Sequence, residues 1–160
     1  MRAKRIFVRF LLFALIGLLM EVFFGAFHDL LDADWDLRGS TSPWMMLDYG
    51  LLGIVTPWIA RPLKARGIPL FARAFVYMLG IFFIEYVSGI VFHKVMGLHI
   101  WNYDHLPYNL HGQIALYFVI PWYLLGLVTE PLFKRVDRCA VVLAHGWTVH
   151  DLPGEEAPEF

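Results

Sequence analysis

Four carboxylates lie inside long apolar stretches of this chain, where a charged side chain is costly: Glu21, Asp48, Glu85 and Glu130. A carboxylate at the centre of a membrane-spanning helix costs ~2.5–3.5 kcal/mol on insertion scales, so each should face a bundle interior or a water-filled cavity. In such a place a carboxylate can bind a cation, a proton or an amine-bearing headgroup. The alternative is that these acids are protonated, or bonded to hydroxyl and indole groups, and only fix the register of the helices.

The depth of each acid along its predicted helix separates the four. With a rise of about 1.5 Å per residue, Glu21, Asp48 and Glu85 fall in the outer third of a bilayer. We therefore predict an outward-facing acidic site that includes Glu21 and Glu85. Asp48 is close enough to the outer edge to be solvated. Glu130 lies near the inner end of the fourth helix, where a basic residue could pair with it, the candidates being Arg73, Lys134 and Arg135.

Small residues accompany the acids at helical spacing, as close helix packing in lipid favours. Three stripes are predicted, namely Gly17, Glu21, Gly25 and His28 on the first helix, Glu85, Ser88 and Gly89 on the third, and Trp122, Gly126 and Glu130 on the fourth.

The segment HIWNYDHLPYNLHGQI at residues 99–114 carries many side chains that can bind a ligand. Its aromatic residues also fit a belt at headgroup level, and its Leu-Pro step is typical of a turn. A loop that folds back into a bundle mouth is tolerated where protein covers it. We predict that this loop gates the outer mouth. The ligand-binding candidates, with Glu21, Glu85 and Glu130, are Trp101, Tyr103, Asp104, His105, Asn109 and Trp122.

Metal, cofactor and nucleotide chemistry receive little support. Imidazole with carboxylate suits zinc, copper or iron, but no histidine pair has a tight helical ligand spacing, so no metal site is assigned. A single cysteine, Cys139, excludes an internal disulfide and a cysteine-built metal site. The chain has no G-x-x-x-x-G-K-[ST], G-x-S-x-G or H-E-x-x-H motif. We predict no cofactor.

The elements that must position these residues are four apolar helices. Apolar residues make up 59% of the 160 residues and charged residues 17%, whereas a soluble domain has roughly 45–50% and about 25%. Apolar runs close to the ~20 residues needed to span a bilayer are predicted at 6–27, 43–60, 69–96 and 112–133. The expected fold is an all-α integral membrane four-helix bundle over residues 1–138, followed by a cytoplasmic tail over 139–160.

The distribution of basic residues predicts the orientation. Eleven of the thirteen lie before or at the start of the first run, between the second run and the start of the third, or after the fourth, and only Arg38 and Lys94 lie elsewhere. Because basic residues favour the cytoplasmic side, both termini are expected there. The other side holds acidic residues instead, namely Asp29, Asp32, Asp34, Asp36 and Asp104.

The chain resembles the CmpB-type ABC-transporter permease family of small four-helix membrane proteins, which has vertebrate multi-pass transmembrane relatives. The resemblance is carried by the segment WNYDHLPYNLHGQIALYFVIPW and by upstream glutamates in FIEYVSG and LLMEVFF. The resemblance covers most of the chain, from about Gly17 to Phe133, and it implies the same four-helix fold. It also places Glu21, Glu85 and Glu130 where relatives carry glutamates. Gln113 and Asp48 depart from the family pattern. The matching residues are Trp101, Asn102, Tyr103, Asn109, Gly112, Ile114, Leu116 and Trp122.

We expect a non-enzymatic, permease-like membrane protein that binds a cation, a proton or a polar solute at the acidic site. One alternative is an enzyme acting on lipid or isoprenoid, with Glu85 and either His105 or Asp104 as acid and base. Another is an assembly partner of a second membrane protein. Besides the bilayer, a homo-oligomer or partner subunit is expected, because 160 residues enclose little space. The near-neutral charge of −1 argues against nucleic acid. The expected location is the cytoplasmic membrane if the source is bacterial.

Overall fold

The structure is a computed structural model that describes residues 2–31, 33 and 35–146, without the side chains of His28 and Asp29. The predicted position of His28 on the first stripe lies outside the described residues. So do the expected outer-side placements of Asp29, Asp32 and Asp34 and the predicted tail from residue 147 onward.

Four α-helices make up most of the described residues, and the predicted all-α fold is confirmed. α3 continues into a π-helical turn at Val91–Val95, and a 3-10 turn at Leu116–Phe118 leads into α4. Between these turns lies a two-stranded antiparallel hairpin with Asn109 opposite Ala115. The elements are α1 (Arg2–Leu31), α2 (Met45–Ala65), α3 (Leu70–Ile90), β1 (Asn109–Leu110), β2 (Ile114–Ala115) and α4 (Val119–His145).

Three segments of the described chain are long and apolar enough to cross a membrane: Arg2–Phe27, Leu70–Val95 and Leu116–His145. Large apolar side chains along them are exposed, including Phe23 at 72% and Phe83 at 69%. Exposed apolar area on this scale needs an apolar environment to cover it. The chain is therefore a helical membrane protein.

The second helix is less apolar than the other three. At 21 residues α2 is about 31 Å long, which is enough to cross a hydrocarbon core. Asp48 in its first turn and Arg61 and Lys64 towards its end interrupt the apolar run. The crossing of the membrane by α2 thus remains a prediction.

The helices differ from the apolar runs at several ends. α1 begins at Arg2 and α4 continues to His145, because Lys and Arg are good helix formers and can extend a helix past its apolar part. α4 begins at Val119 instead of at residue 112, because the hairpin takes the preceding residues. Pro121 falls in the first turn of α4, where its missing N–H has no helical acceptor.

By its internal contacts the described chain divides into two units, the first made of residues 2–55 and 135–146 and the second of residues 56–134. In the first unit, the fully buried Asp137 carboxylate accepts hydrogen bonds from Arg5 at 2.6 and 3.0 Å and from Arg9 at 2.9 Å. Arg9 is also buried, and its Nε donates to the Gly53 carbonyl at 2.5 Å. Because Pro57 has no N–H to offer that carbonyl, Arg9 supplies the hydrogen bond that α2 lacks there.

Glycines allow α1 and α2 to approach closely within the first unit. A Cβ added at Gly53 would lie 3.0 Å from the Arg9 carbonyl oxygen and 3.0 Å from Phe13. Gly17 lies against the ring of Tyr49. This glycine of the predicted first stripe therefore faces α2.

The second unit contains a close contact between α3 and α4. A Cβ added at Gly126 would lie 2.5 Å from the carbonyl oxygen of Ala74. Trp122 and Glu130, one turn before and one turn after Gly126, both hydrogen-bond to side chains of α3. The predicted shared face of Trp122, Gly126 and Glu130 is confirmed, and it faces α3.

We predict that Asp137→Asn will destabilise the protein strongly, because it leaves two arginines, one of them fully buried, without a full counter-charge. Breaking a buried ion pair by removing one partner costs about 3–5 kcal/mol. The free energy of unfolding in mixed detergent micelles measures the loss.

Asp36→Asn is the matched control for this substitution. Asp36 pairs with Arg38, and the two side chains are 59% and 80% exposed, so the loss should be close to zero. Equal losses in the two variants would contradict a special role for the Asp137 ion pair.

Candidate functional site

The Glu85 carboxylate is the centre of the candidate site. Glu85 lies on α3, one turn before the buried Gly89, and only 7% of its surface is exposed. The Tyr103 hydroxyl donates to Oε1 at 3.0 Å, and the Trp122 indole N–H donates to Oε2 at 3.0 Å. One carboxylate therefore joins α3 to the loop that follows it and to α4.

A third aromatic ring packs against both donors. The ring of Phe118 lies between the two donors, with its centroid 4.7 Å from that of Tyr103 and 5.7 Å from that of Trp122. Aromatic pairs at these centroid distances stabilise the packing beyond what the burial of their apolar area contributes. These ring contacts hold both donors in position.

The loop that carries Tyr103 is fixed by its own backbone. The Tyr103 N–H donates to the Gly112 carbonyl at 2.8 Å. Gly112 has φ +67°, and a Cβ there would lie 2.5 Å from the Asp104 carboxylate and 2.7 Å from the Asn102 side-chain oxygen. Glycine is required here by both its backbone angle and the lack of space.

The side chain of Asn109 stabilises the same loop through hydrogen bonds to its backbone. Its side-chain amide donates to the Leu106 carbonyl at 2.8 Å, and its side-chain oxygen accepts the Gly112 N–H at 3.0 Å. These bonds make Asn109 a residue that shapes the turn, as its place after a Leu-Pro step suggested. Asp104 and His105 are exposed on the same turn.

Gln113 anchors the other end of the loop and was not among the candidates. It is 2% exposed, and its side-chain amide donates to the His111 carbonyl at 3.1 Å and lies 3.2 Å from Nδ1 of His93. Its backbone carbonyl accepts the Trp101 indole N–H at 3.0 Å. Gly89 leaves room for this arrangement, because a Cβ there would lie 3.0 Å from the Trp101 ring.

Three histidines near the end of α3 each contact another ring side chain. The rings of His93 and His99 have centroids 4.1 Å apart, and Nδ1 of His111 lies 2.9 Å from the Tyr86 hydroxyl. Within the described residues, no three His, Cys, Asp or Glu side chains are grouped so that they could hold a metal ion.

Glu130 belongs to a separate cluster at the other end of α3. It is 4% exposed and accepts hydrogen bonds from Arg73 at 2.6 and 3.0 Å and from Tyr77 at 2.8 Å. The Lys64 ammonium lies 3.0 Å from its second oxygen. The twelve residues from Arg73 to Glu85 correspond to about 18 Å along α3, so the Glu130 and Glu85 clusters are distinct.

Glu21 lies in the first unit, where it accepts a hydrogen bond from the Tyr49 hydroxyl. Its predicted partner Glu85 lies in the second unit. Each acid is thus bonded to a tyrosine within its own unit.

Of the nine predicted site residues, the structure brings Glu85, Tyr103 and Trp122 into direct contact. Pairing of Glu130 with Arg73 was one of three alternatives and is the one the structure has. Lys64 and Tyr77 were missed as partners of Glu130. For Tyr77 a signal was present in the sequence, because it follows Arg73 by four residues and so shares its helix face. Phe118 and Gln113 were also missed.

The family model described as putative ABC-transporter type IV matches residues 8–149 of the chain. The chain belongs to this family. The resemblance carried by the WNYD segment to a CmpB-type ABC-transporter permease is thereby confirmed, and the chain is a transport-related membrane protein. No solved structure matches it.

We predict that Tyr103→Phe will loosen the loop at residues 98–115, because it removes the hydroxyl that bonds to Glu85. Leaving a buried acceptor without one of its donors costs about 1–3 kcal/mol. Hydrogen–deuterium exchange of the loop amides, followed by mass spectrometry in detergent, should be faster in the variant by the factor to which this loss of free energy corresponds.

Tyr108→Phe, in the same loop and at a residue that is 82% exposed, is the control and should leave the exchange unchanged. If both variants exchange at the rate of the unmodified protein, the bond between Tyr103 and Glu85 does not hold the loop.

Proposed function

We propose that this membrane protein binds a cation, a proton or a polar solute at Glu85, and that the loop at residues 98–115 responds to the binding and gates the outer side. The observation that carries the proposal is the pair of hydrogen bonds that Tyr103 and Trp122 donate to one buried carboxylate within an apolar span. A carboxylate is costly in such a span, so a position of this kind is a functional candidate.

The chemical character of the two donors supports ligand binding. A phenol and an indole bring no positive charge to Glu85, whereas Arg73 and Lys64 bring two to Glu130. Tyr103 and Trp122 donate to different oxygens of this carboxylate, so both oxygens take part in holding the site together. An arriving proton or cation would compete with the Tyr103 and Trp122 bonds for the same oxygens.

That competition would couple the site to the loop. The backbone N–H of Tyr103 is hydrogen-bonded within the loop to the Gly112 carbonyl, and its hydroxyl donates to Glu85 on α3. A ligand that takes the place of the tyrosine hydroxyl would release one of the bonds that fasten the loop. Loop movement linked to occupancy is what a gate at a transport site requires.

Glu21 is proposed as a second acidic position, because it too is bonded to a tyrosine hydroxyl within a candidate span. We also propose that a second copy of the chain or a partner subunit completes the transport path, since four helices of this size enclose little space. Trp101, Asp104, His105 and Asn109 remain proposed contributors through their place in the gating loop.

The central test is solute flux after Glu85→Gln. Glutamine keeps an oxygen that can accept a hydrogen bond but carries no charge, so the fold should be kept while binding is lost. Full-length protein in proteoliposomes would be tested for uptake of protons, sodium ions and an alkylammonium ion. We expect the variant to fall to the level of empty liposomes for the conducted species.

Asp36→Asn removes an exposed carboxylate and serves as the control, with flux unchanged. Size-exclusion elution and thermal unfolding would verify that both variants are folded. Flux through Glu85→Gln equal to that of the unmodified protein would reject Glu85 as the binding group.

We further propose four crossings with both termini in the cytoplasm, which the placement of eleven basic residues supports. A membrane-impermeant maleimide tests it through the native Cys139, and through Arg2→Cys and Tyr108→Cys in a Cys139→Ala background. All three positions are exposed in the structure. Only position 108 should react in intact cells, and positions 2 and 139 only after permeabilisation.

Other topologies give other patterns. If α2 does not cross and the chain begins inside, positions 2 and 108 would be protected and position 139 labelled. If the chain begins outside with three crossings, position 2 would be labelled in intact cells. Either pattern would contradict four crossings.

A further inference from the structure

The connection between α2 and α3 is a fixed turn that carries several basic residues. α2 ends with the Ile68 N–H bonded to the Leu63 carbonyl at 3.1 Å and the Gly67 N–H bonded to the Lys64 carbonyl at 2.9 Å. With Gly67 at φ +67°, this is a Schellman motif, which closes a helix end with defined geometry. α3 then begins at Leu70.

Four basic residues lie on or beside this turn and form what we name the α2–α3 basic cluster: Arg61, Lys64, Arg66 and Arg73. Glu130 binds both Lys64 and Arg73, so one carboxylate meets two cations. Arg73 also donates to the Ile68 carbonyl, which ties its guanidinium to the turn. Arg61 and Arg66 are exposed. The cluster therefore combines four basic side chains with one buried acid that holds two of them in place.

Exposed aromatic side chains flank the cluster. Trp58 is 77% exposed and precedes Arg61 by three residues on α2, which places the two on neighbouring positions of one helix face. Phe71, in the first turn of α3, is 70% exposed. Aromatic rings beside basic residues are the composition that membrane proteins present at the level of lipid headgroups.

We propose that the α2–α3 basic cluster binds the phosphate of an anionic phospholipid headgroup, with Trp58 and Phe71 against the adjoining acyl chains. Charge complementarity carries the assignment, because guanidinium and ammonium groups on a fixed turn match phosphate oxygens. The cluster lies at the opposite end of α3 from Glu85, so this lipid site is independent of the function proposed above.

The test compares two double variants of the full-length protein in a neutral detergent, titrated with short-chain phosphatidylglycerol or phosphatidylcholine and followed by thermal shift and native mass spectrometry. Arg61→Gln with Arg66→Gln removes the exposed half of the cluster. Arg2→Gln with Lys4→Gln is the control, because these residues are also basic, exposed and assigned to the same side.

We expect phosphatidylglycerol to bind in preference to phosphatidylcholine, and the Arg61/Arg66 variant to bind it about 30-fold more weakly, the factor that two basic residues at ~1 kcal/mol each give. The control should bind it nearly as the unmodified protein does. Arg66→Gln alone, at an exposed residue of the turn, provides the same test with a smaller effect if the double variant does not fold.

Equal weakening in both double variants would overturn the proposal in favour of diffuse attraction by all basic residues. Equal binding of the two lipids would overturn it as well. Inorganic phosphate that binds as tightly as phosphatidylglycerol and displaces it would identify a free-phosphate site instead of a lipid site.

Discussion

The structure depends on how the chain supplies hydrogen-bond donors to carboxylates in segments that lipid surrounds. An unpaired charge in such a place is far more costly than one at an aqueous surface. Among the described residues, the three most buried acids have different partners. Asp137 receives two arginines, Glu130 receives an arginine, a lysine and a tyrosine, and Glu85 is held by a tyrosine and a tryptophan. The first two arrangements neutralise charge and so stabilise helix contacts.

Close helix approach is the second requirement, because side chains as short as aspartate and glutamate reach a partner only across a narrow gap. Gly126 brings the α4 backbone against Ala74, and Trp122 and Glu130 then reach α3 from one turn away on each side. Gly53 does the same for Arg9, whose guanidinium also meets the carbonyl that Pro57 leaves without its helical donor. In each unit, glycines thus allow the close helix approach that the buried ion pairs require.

The sequence predicted the helices, the stripe of Trp122, Gly126 and Glu130, and the family, because apolar runs and helical periodicity are local properties. It did not predict that Asp137 and Arg9 pair, since 128 residues separate them and nothing local marks one as the partner of the other. The start of α4 was also misplaced, because the run from residue 112 is apolar and its hairpin depends on the positive φ angles of His111 and Gly112. Gln113 departs from the family pattern, and the sequence did not indicate that it is buried, because its burial results from the fold of the loop.

Glu85 differs from the other two acids in what its bonds connect. The bonds to Asp137 and Glu130 join helices of one unit, whereas the Tyr103 bond joins a helix to a loop. Such a loop opens at lower free energy than a packed helix does. α3 also ends in a π-helical turn that presents His93 to Gln113, and π-helical turns frequently occur at functional sites. A change at Glu85 would therefore pass to the loop more readily than to the helices, and this asymmetry favours Glu85 over Glu130 as the site of function.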